Sequence, residues 1–258
     1  MRTILLLSTL LLMYSAHSQK KRQIKTIHVF VALCDNLNQG IVPVSKTLGD
    51  GQNPRTNLYW GALYGVKTHF KRSKDWTLVK KLESHNSHIL ERILFKHTST
   101  ETYLLAEAYD GKYIKETTID FLKAASGGAE QKVKGPSENE LSFGGASNMV
   151  AYIGHNGLME FDVEGNFKSK NKKKRDAIML ACISKDYFKP YLKETGAQPL
   201  VWSTGLMSPE AYTLAWSIQA WIAGETPDQI RESAAQAYHK YQKCGVRAAR
   251  NLLVTGYE

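Results

Sequence analysis

The sequence predicts an α/β fold in which a mostly parallel central sheet is covered by helices on both faces. Two patterns carry this expectation. Short apolar runs rich in β-branched residues alternate with amphipathic stretches at helical spacing, and no internal repeat or linker divides the chain. With 43% hydrophobic and 22% charged residues among 258, the chain can bury a sizeable core. That composition excludes a disordered, collagen-like or coiled-coil protein.

The elements follow in order. Residues 27–34 (IHVFVALC) form a continuous apolar run that suits a strand buried on both faces. A polar stretch, 35–56, is broken by Gly40, Gly49, Gly51 and Pro54. Residues 57–70 (NLYWGALYGVKTHF) carry apolar positions at helical spacing, with Thr56 or Asn57 as N-cap. Strands are expected at 76–82, 89–96 and 103–109, and an amphipathic helix at 114–125, stopped by Gly127 and Gly128. Residues 126–148 read as a connecting loop. Two strong strand candidates follow, 148–154 (NMVAYIG) and 176–183 (DAIMLACI), with a hairpin between them at 158–167. A short strand at 199–204 precedes helices at 209–223 and from Thr226, with Pro227 in its first turn, to about Lys243.

The first eighteen residues read as a secretory signal peptide. Arg2 supplies the positive charge, 4–14 the apolar run, and Ala16 and Ser18 the small residues before cleavage after Ser18. That leaves 19–258 as one domain with a helical C-terminal portion, exported to a periplasmic or extracellular space. At this length the apolar run is short for a membrane span, so no stable membrane insertion is expected after cleavage. The formal net charge is +10, partly gathered in 20–22 (KKR) and 168–175 (KSKNKKKR). The second run has only Phe167 beside it, whereas nucleic-acid binding calls for interleaved aromatic residues. It therefore reads as a solvated loop, and no nucleic-acid partner is expected. Of the three cysteines, Cys34, Cys182 and Cys244, at least one has no partner within the chain. A Cys34–Cys244 disulfide would leave Cys182 free, though the sequence does not fix that pairing.

In open parallel sheets, ligands gather outside the carboxyl ends of the strands. Two reactive side chains sit at such ends: His155 after MVAYIG and Cys182 closing AIMLAC. A histidine that titrates near neutrality is the usual partner for activating a thiol as a nucleophile. Backbone N–H groups at Gly157 and Cys182 are candidates to hold a developing oxyanion. These stretches, MVAYIGHNG and AIMLACIS, resemble the caspase-like cysteine peptidases, a group that includes caspases, metacaspases, legumains, gingipains and clostripain. There too a hydrophobic strand ending in His-Gly precedes one ending in Ala-Cys. The resemblance implies a caspase-like three-layer sandwich, His155 as base and proton shuttle, Cys182 as nucleophile, and an oxyanion hole at Gly157 and Cys182. Here Asn156 stands between the histidine and the glycine.

Cys34 and Asp35 end the first strand and, with Asn156 and Ser184, are candidates for a substrate pocket. The stretch 50–53 (DGQN) lacks the acidic spacing and closing glutamate of a calcium loop. His85 and His88, flanked by Glu83 and Glu91, lack further zinc ligands at a defined spacing, so neither metal nor cofactor is expected. Trp60, Trp202, Trp216, Trp221 and their neighbouring tyrosines read first as core packing, with carbohydrate or peptide stacking as a secondary role. No Walker-type loop, GxSxG elbow or HExxH motif is present. The expectation is an exported cysteine-dependent hydrolase acting on a peptide or protein substrate. The alternatives are a non-catalytic binding protein on the same fold and an amidase of cell-wall peptide bonds. Oligomeric state is not readable.

Overall fold

The run at 27–34 does form a strand buried on both sides. β1 (Lys25–Ala32) sends Val29 and Val31 into one core and Phe30 and Ala32 into the other. It lies between β4 (Thr102–Tyr109) and β7 (Met149–Gly154), parallel to both. Next to β7 come β8 (Asp176–Leu180) and β9 (Gln198–Ser203), also parallel. Antiparallel strands extend both edges: β3 (Ile89–His97) on β4, β2 (Trp76–Leu82) on β3, and the two-residue β10 (Leu253–Val254) on β9. The sheet runs β10-β9-β8-β7-β1-β4-β3-β2. The computed structural model describes residues 23–258 apart from His85 and Lys172. The expected signal peptide at 1–18 lies outside the described residues, as does His85 of the histidine pair.

Helices cover both faces because each carries one apolar stripe. On one side α1 (Val66–Arg72), α4 (Ala211–Ala223), α5 (Pro227–Gln242) and α6 (Val246–Leu252) pack over Val29, Val31, Ile153 and Leu180. On the other, α2 (Ile114–Ala125) and α3 (Ser184–Thr195) pack over Phe30, Val150 and Tyr152. The chain is thus α/β, with a large, mostly parallel mixed sheet between helical layers. At the centre of the second layer Phe121 meets Phe30, Tyr152 and Phe188 with ring centroids 5.8–6.0 Å apart.

Three local expectations are corrected, and two further elements follow the last expected helix. Only the end of 57–70 is helical, because Asn57 ties the segment to the end of β1. Its side chain accepts the Cys34 N–H at 3.1 Å and donates to the Cys34 carbonyl at 2.8 Å, and a turn follows. The loop at 126–148 contains a hairpin, β5 (Gln131–Lys134) and β6 (Glu140–Phe143), seated on Leu94, Tyr103 and Leu105. Residues 158–167 form no hairpin; a short 3-10 turn, Gly157–Met159, leads into irregular chain. Beyond Lys243, α6 and β10 close the far edge of the sheet.

The apolar run of β1 also conceals a polar side chain, His28. His28 and Glu107 are both fully buried, with Nε2 and Oε2 3.0 Å apart. That contact is too far out of line to count as a directed hydrogen bond. Arg92 Nε donates to Glu107 Oε1 at 2.7 Å, and His28 Nδ1 accepts the Gly144 N–H at 3.1 Å. Burial alone would raise the Glu107 carboxyl, but His28 and Arg92 outweigh it and hold the group below its ordinary range. Arg92 Nη2 also donates to Gln131 Oε1, so the network fastens the β5–β6 hairpin to the sheet.

Truncating the aromatic centre tests this packing. Phe121→Ala is expected to cost about 3–5 kcal/mol in urea-induced unfolding, because the rigid layer closes only partly over the cavity.

Candidate functional site

The parallel register assembles the site. β7 pairs with β8 from Met149↔Asp176 to Ile153↔Leu180, a constant offset of 27 positions. The paired strands end at Ile153 and Leu180, and just beyond those ends the chain carries His155 and Cys182 to one edge of the sheet. Gly154 sits at the strand end with φ 146°, where a Cβ would lie 2.5 Å from the Ala32 carbonyl oxygen. Only glycine allows that approach of β7 to β1.

Cys182 lies on a sharp strand-to-helix turn. The next residue, Ile183, has φ 48°, a left-handed conformation that strains a β-branched side chain by about 1–3 kcal/mol. Hydrogen bonds hold the turn in place. Ile183 N–H donates to Gly205 O at 2.8 Å, Ser184 N–H to Ser203 Oγ at 3.1 Å, and Ser184 Oγ–H to Met179 O at 2.8 Å. The two strand-end loops are joined by Asn156, whose Nδ2 donates to the Cys182 carbonyl at 2.6 Å.

His155 and Cys182 face a common cleft of about 400 Å³. One rim is the 40–44 loop, the other the 206–210 loop, and Leu58, Tyr59 and Met159 contribute the remaining walls. The lining is largely apolar. Val42 and Leu206, one on each rim, are 88% and 73% exposed. Glu210 is the one carboxylate among the lining residues. Its Oε2 accepts the Tyr212 hydroxyl at 2.9 Å, and burial raises its carboxyl above the ordinary value against the pull of that bond. Burial, together with the negative forms of Cys34, Cys182 and Glu210 nearby, pushes the Tyr59 hydroxyl well up, so Tyr59 stands there as a neutral phenol.

His155 is nearly buried, and its Nε2 is hydrogen-bonded to Glu160 Oε1, which also accepts the Gly40 N–H at 2.8 Å. With a carboxylate at Nε2, the proton of a neutral ring belongs on that nitrogen, leaving the Nδ1 lone pair free. Nδ1 has no hydrogen-bond partner among the described residues. The Cys182 sulfur accepts the Met207 N–H at 3.4 Å, and its S–H points to Met207 O at 3.5 Å.

Other expected site residues stand elsewhere. Cys34 is fully buried, and burial with the charge of Asp35 raises its thiol to about 11. Asp35 is 1% exposed and occupied by its own loop, accepting from Leu37 N at 2.9 Å and from Asn38 Nδ2 and Gln52 Nε2 at 2.8 Å each. Ser184 is buried in the turn, and Asn156 lies beneath the cleft as the tie between loops. Gly157 is buried against Phe161 and Ile114 and is not among the cleft-lining residues. All three cysteines are free thiols. Among the described residues no three His, Cys, Asp or Glu side chains gather as a metal site, and no helix is long and apolar enough to cross a membrane.

The chain matches no known protein family, curated protein or solved structure. The site is therefore read from its own residues. Glu160, Glu210 and Met207 escaped sequence reasoning because they lie in irregular loops, where no periodicity encodes side-chain direction. The carboxylate five residues after His155 was the available signal.

The three thiols differ in access. Iodoacetamide at about pH 8 is expected to alkylate Cys244 and Cys182 in the folded protein and to spare Cys34 until urea is added. Peptide mapping by mass spectrometry reads the pattern.

Proposed function

We propose that this chain is a cysteine-dependent hydrolase acting on peptide bonds, with Cys182 as nucleophile and His155 as base. The observation that carries the reading is the pairing of the two side chains on one cleft, at the carboxyl ends of adjacent parallel strands, with the second histidine nitrogen bonded to Glu160. The Nδ1 lone pair takes the thiol proton, and the thiolate attacks the substrate carbonyl carbon. In this reading the Cys182 N–H donates to the oxyanion. As the C–N bond breaks, the imidazolium returns its proton to the departing amine. Water, deprotonated by the same nitrogen, then attacks the thioester, and the leaving sulfur regains a proton. Glu160 keeps Nε2–H fixed throughout and offsets the charge of the imidazolium, acting as a positioning residue.

The apolar rims favour an extended polypeptide segment with apolar side chains as substrate. The finer assignment, a caspase-like sandwich, is supported by the MVAYIGHNG and AIMLACIS stretches and by the order of histidine before cysteine on neighbouring strands. Export rests on the reading of residues 1–18. One observation favours a non-catalytic binding protein instead: the Met207 peptide group already engages the Cys182 sulfur on both sides.

Assay against a fluorogenic peptide library distinguishes the two. Cys182→Ala is expected to abolish hydrolysis and His155→Ala to lower kcat by about 10²–10⁴-fold. Glu160→Gln is expected to lower kcat by about tenfold or more, with KM little changed and the pH profile displaced. Hydrolysis retained in Cys182→Ala, or absent in the wild-type protein across the library, overturns the proposal.

A further inference from the structure

A second cleft lies on the helical face of α1 and α4, lined by other residues than those around Cys182. It has two adjoining compartments of about 380 and 480 Å³ that share His69, Ser73 and Trp216. Trp216 is 37% exposed, although four turns of apolar residues on the same helix are mostly buried. Around it stand Arg72, Asp75, Gln219, Glu225 and Ser233. Arg72, Asp75, Glu225 and Ser233 make no side-chain hydrogen bond or ion pair among the described residues. Gln219 uses only its oxygen, 3.3 Å from His97 Nε2. Lys240, itself exposed, holds its ammonium over the Trp216 ring, 5.2 Å from the centroid.

We infer that this cleft is a binding site for a neutral oligosaccharide. An indole face offers a flat apolar surface to the C–H face of a pyranose ring. Planar side chains with two donors or acceptors match pairs of neighbouring hydroxyls, which both donate and accept. Carboxylates, a guanidinium, an amide and hydroxyls are all present with unused capacity. The charges select against other ligands. Asp75 and Glu225 repel an anion, whereas Arg72 and Lys240 repel a cation. A purely apolar peptide would strip water from these groups without replacing its hydrogen bonds. A neutral polyol satisfies both sets. Two compartments meeting at Trp216 call for a ligand longer than one sugar unit.

The site is independent of the hydrolase reading, so its test uses Cys182→Ala as well as the wild-type protein. Isothermal titration calorimetry with cellotetraose, maltotetraose, xylotetraose and N-acetylchitotetraose is expected to give saturable binding to at least one, with Kd near 1 mM or below. Cys182→Ala binds equally. Trp216→Ala loses at least about tenfold in affinity, and Gln219→Ala, which leaves the indole in place, loses less. Circular dichroism checks that both variants are folded. No saturable binding to any of the four up to about 10 mM, or unchanged affinity in folded Trp216→Ala, overturns the inference.

Discussion

The parallel register of β1, β7 and β8 is the constraint on which the rest of the molecule depends. β1 is buried on both faces, so its alternation between Val29 or Val31 on one side and Phe30 or Ala32 on the other is fixed by two cores at once. A slip of one residue would exchange the two sets and place each in the wrong layer. The neighbours inherit that precision. β7 matches β1 from Ile27↔Met149 to Ala32↔Gly154, and β8 matches β7 at an offset of 27. The spacing of His155 and Cys182 in the sequence equals that offset, and both line one cleft beyond the strand ends.

What was legible follows from the same constraint. Strands buried on both faces leave continuous apolar runs, so β1, β4, β7 and β8 announce themselves. Their ends then disclose His155 and Cys182. A helical spacing of aromatics at 57–70 misled because Tyr59 and Trp60 are buried by a turn, not by a helix: the Asn57 side chain, bonded to the Cys34 peptide, outweighs local propensity. The β5–β6 hairpin was invisible because its four-residue strands, QKVK and ELSF, are too short and polar to stand out. Nor does any local pattern foretell that His28 and Glu107, far apart in sequence, share a dry site with Arg92.

Sharing a rim does not make residues share a function. Cys34 and Asp35 end β1 at the same edge as His155, yet the loop that follows folds back over them. Two backbone N–H groups and two amide side chains consume the Asp35 carboxylate before any ligand arrives. A buried, hydrogen-bonded carboxylate of that kind organises chain; it does not recruit a partner. Glu210 differs in being less enclosed, with Oε2 alone accepting bonds from Tyr212 and Gln242. The number of internal donors, more than position in the sequence, separates the two.

Glu160 joins the cleft rim to the His155 ring. One oxygen, Oε1, receives both the imidazole Nε2 and the Gly40 N–H. Because one oxygen serves both donors, displacement of the 40–44 loop bears on the Glu160–His155 hydrogen bond. Val42, almost fully exposed on that loop, is the side chain that an incoming chain would meet first. A peptide seated against Val42 and Leu206 also competes with Met207 for the neighbourhood of the sulfur. On the proposed hydrolase reading, occupying the cleft would act on both residues: through Gly40 and Glu160 on His155, and through Met207 on Cys182.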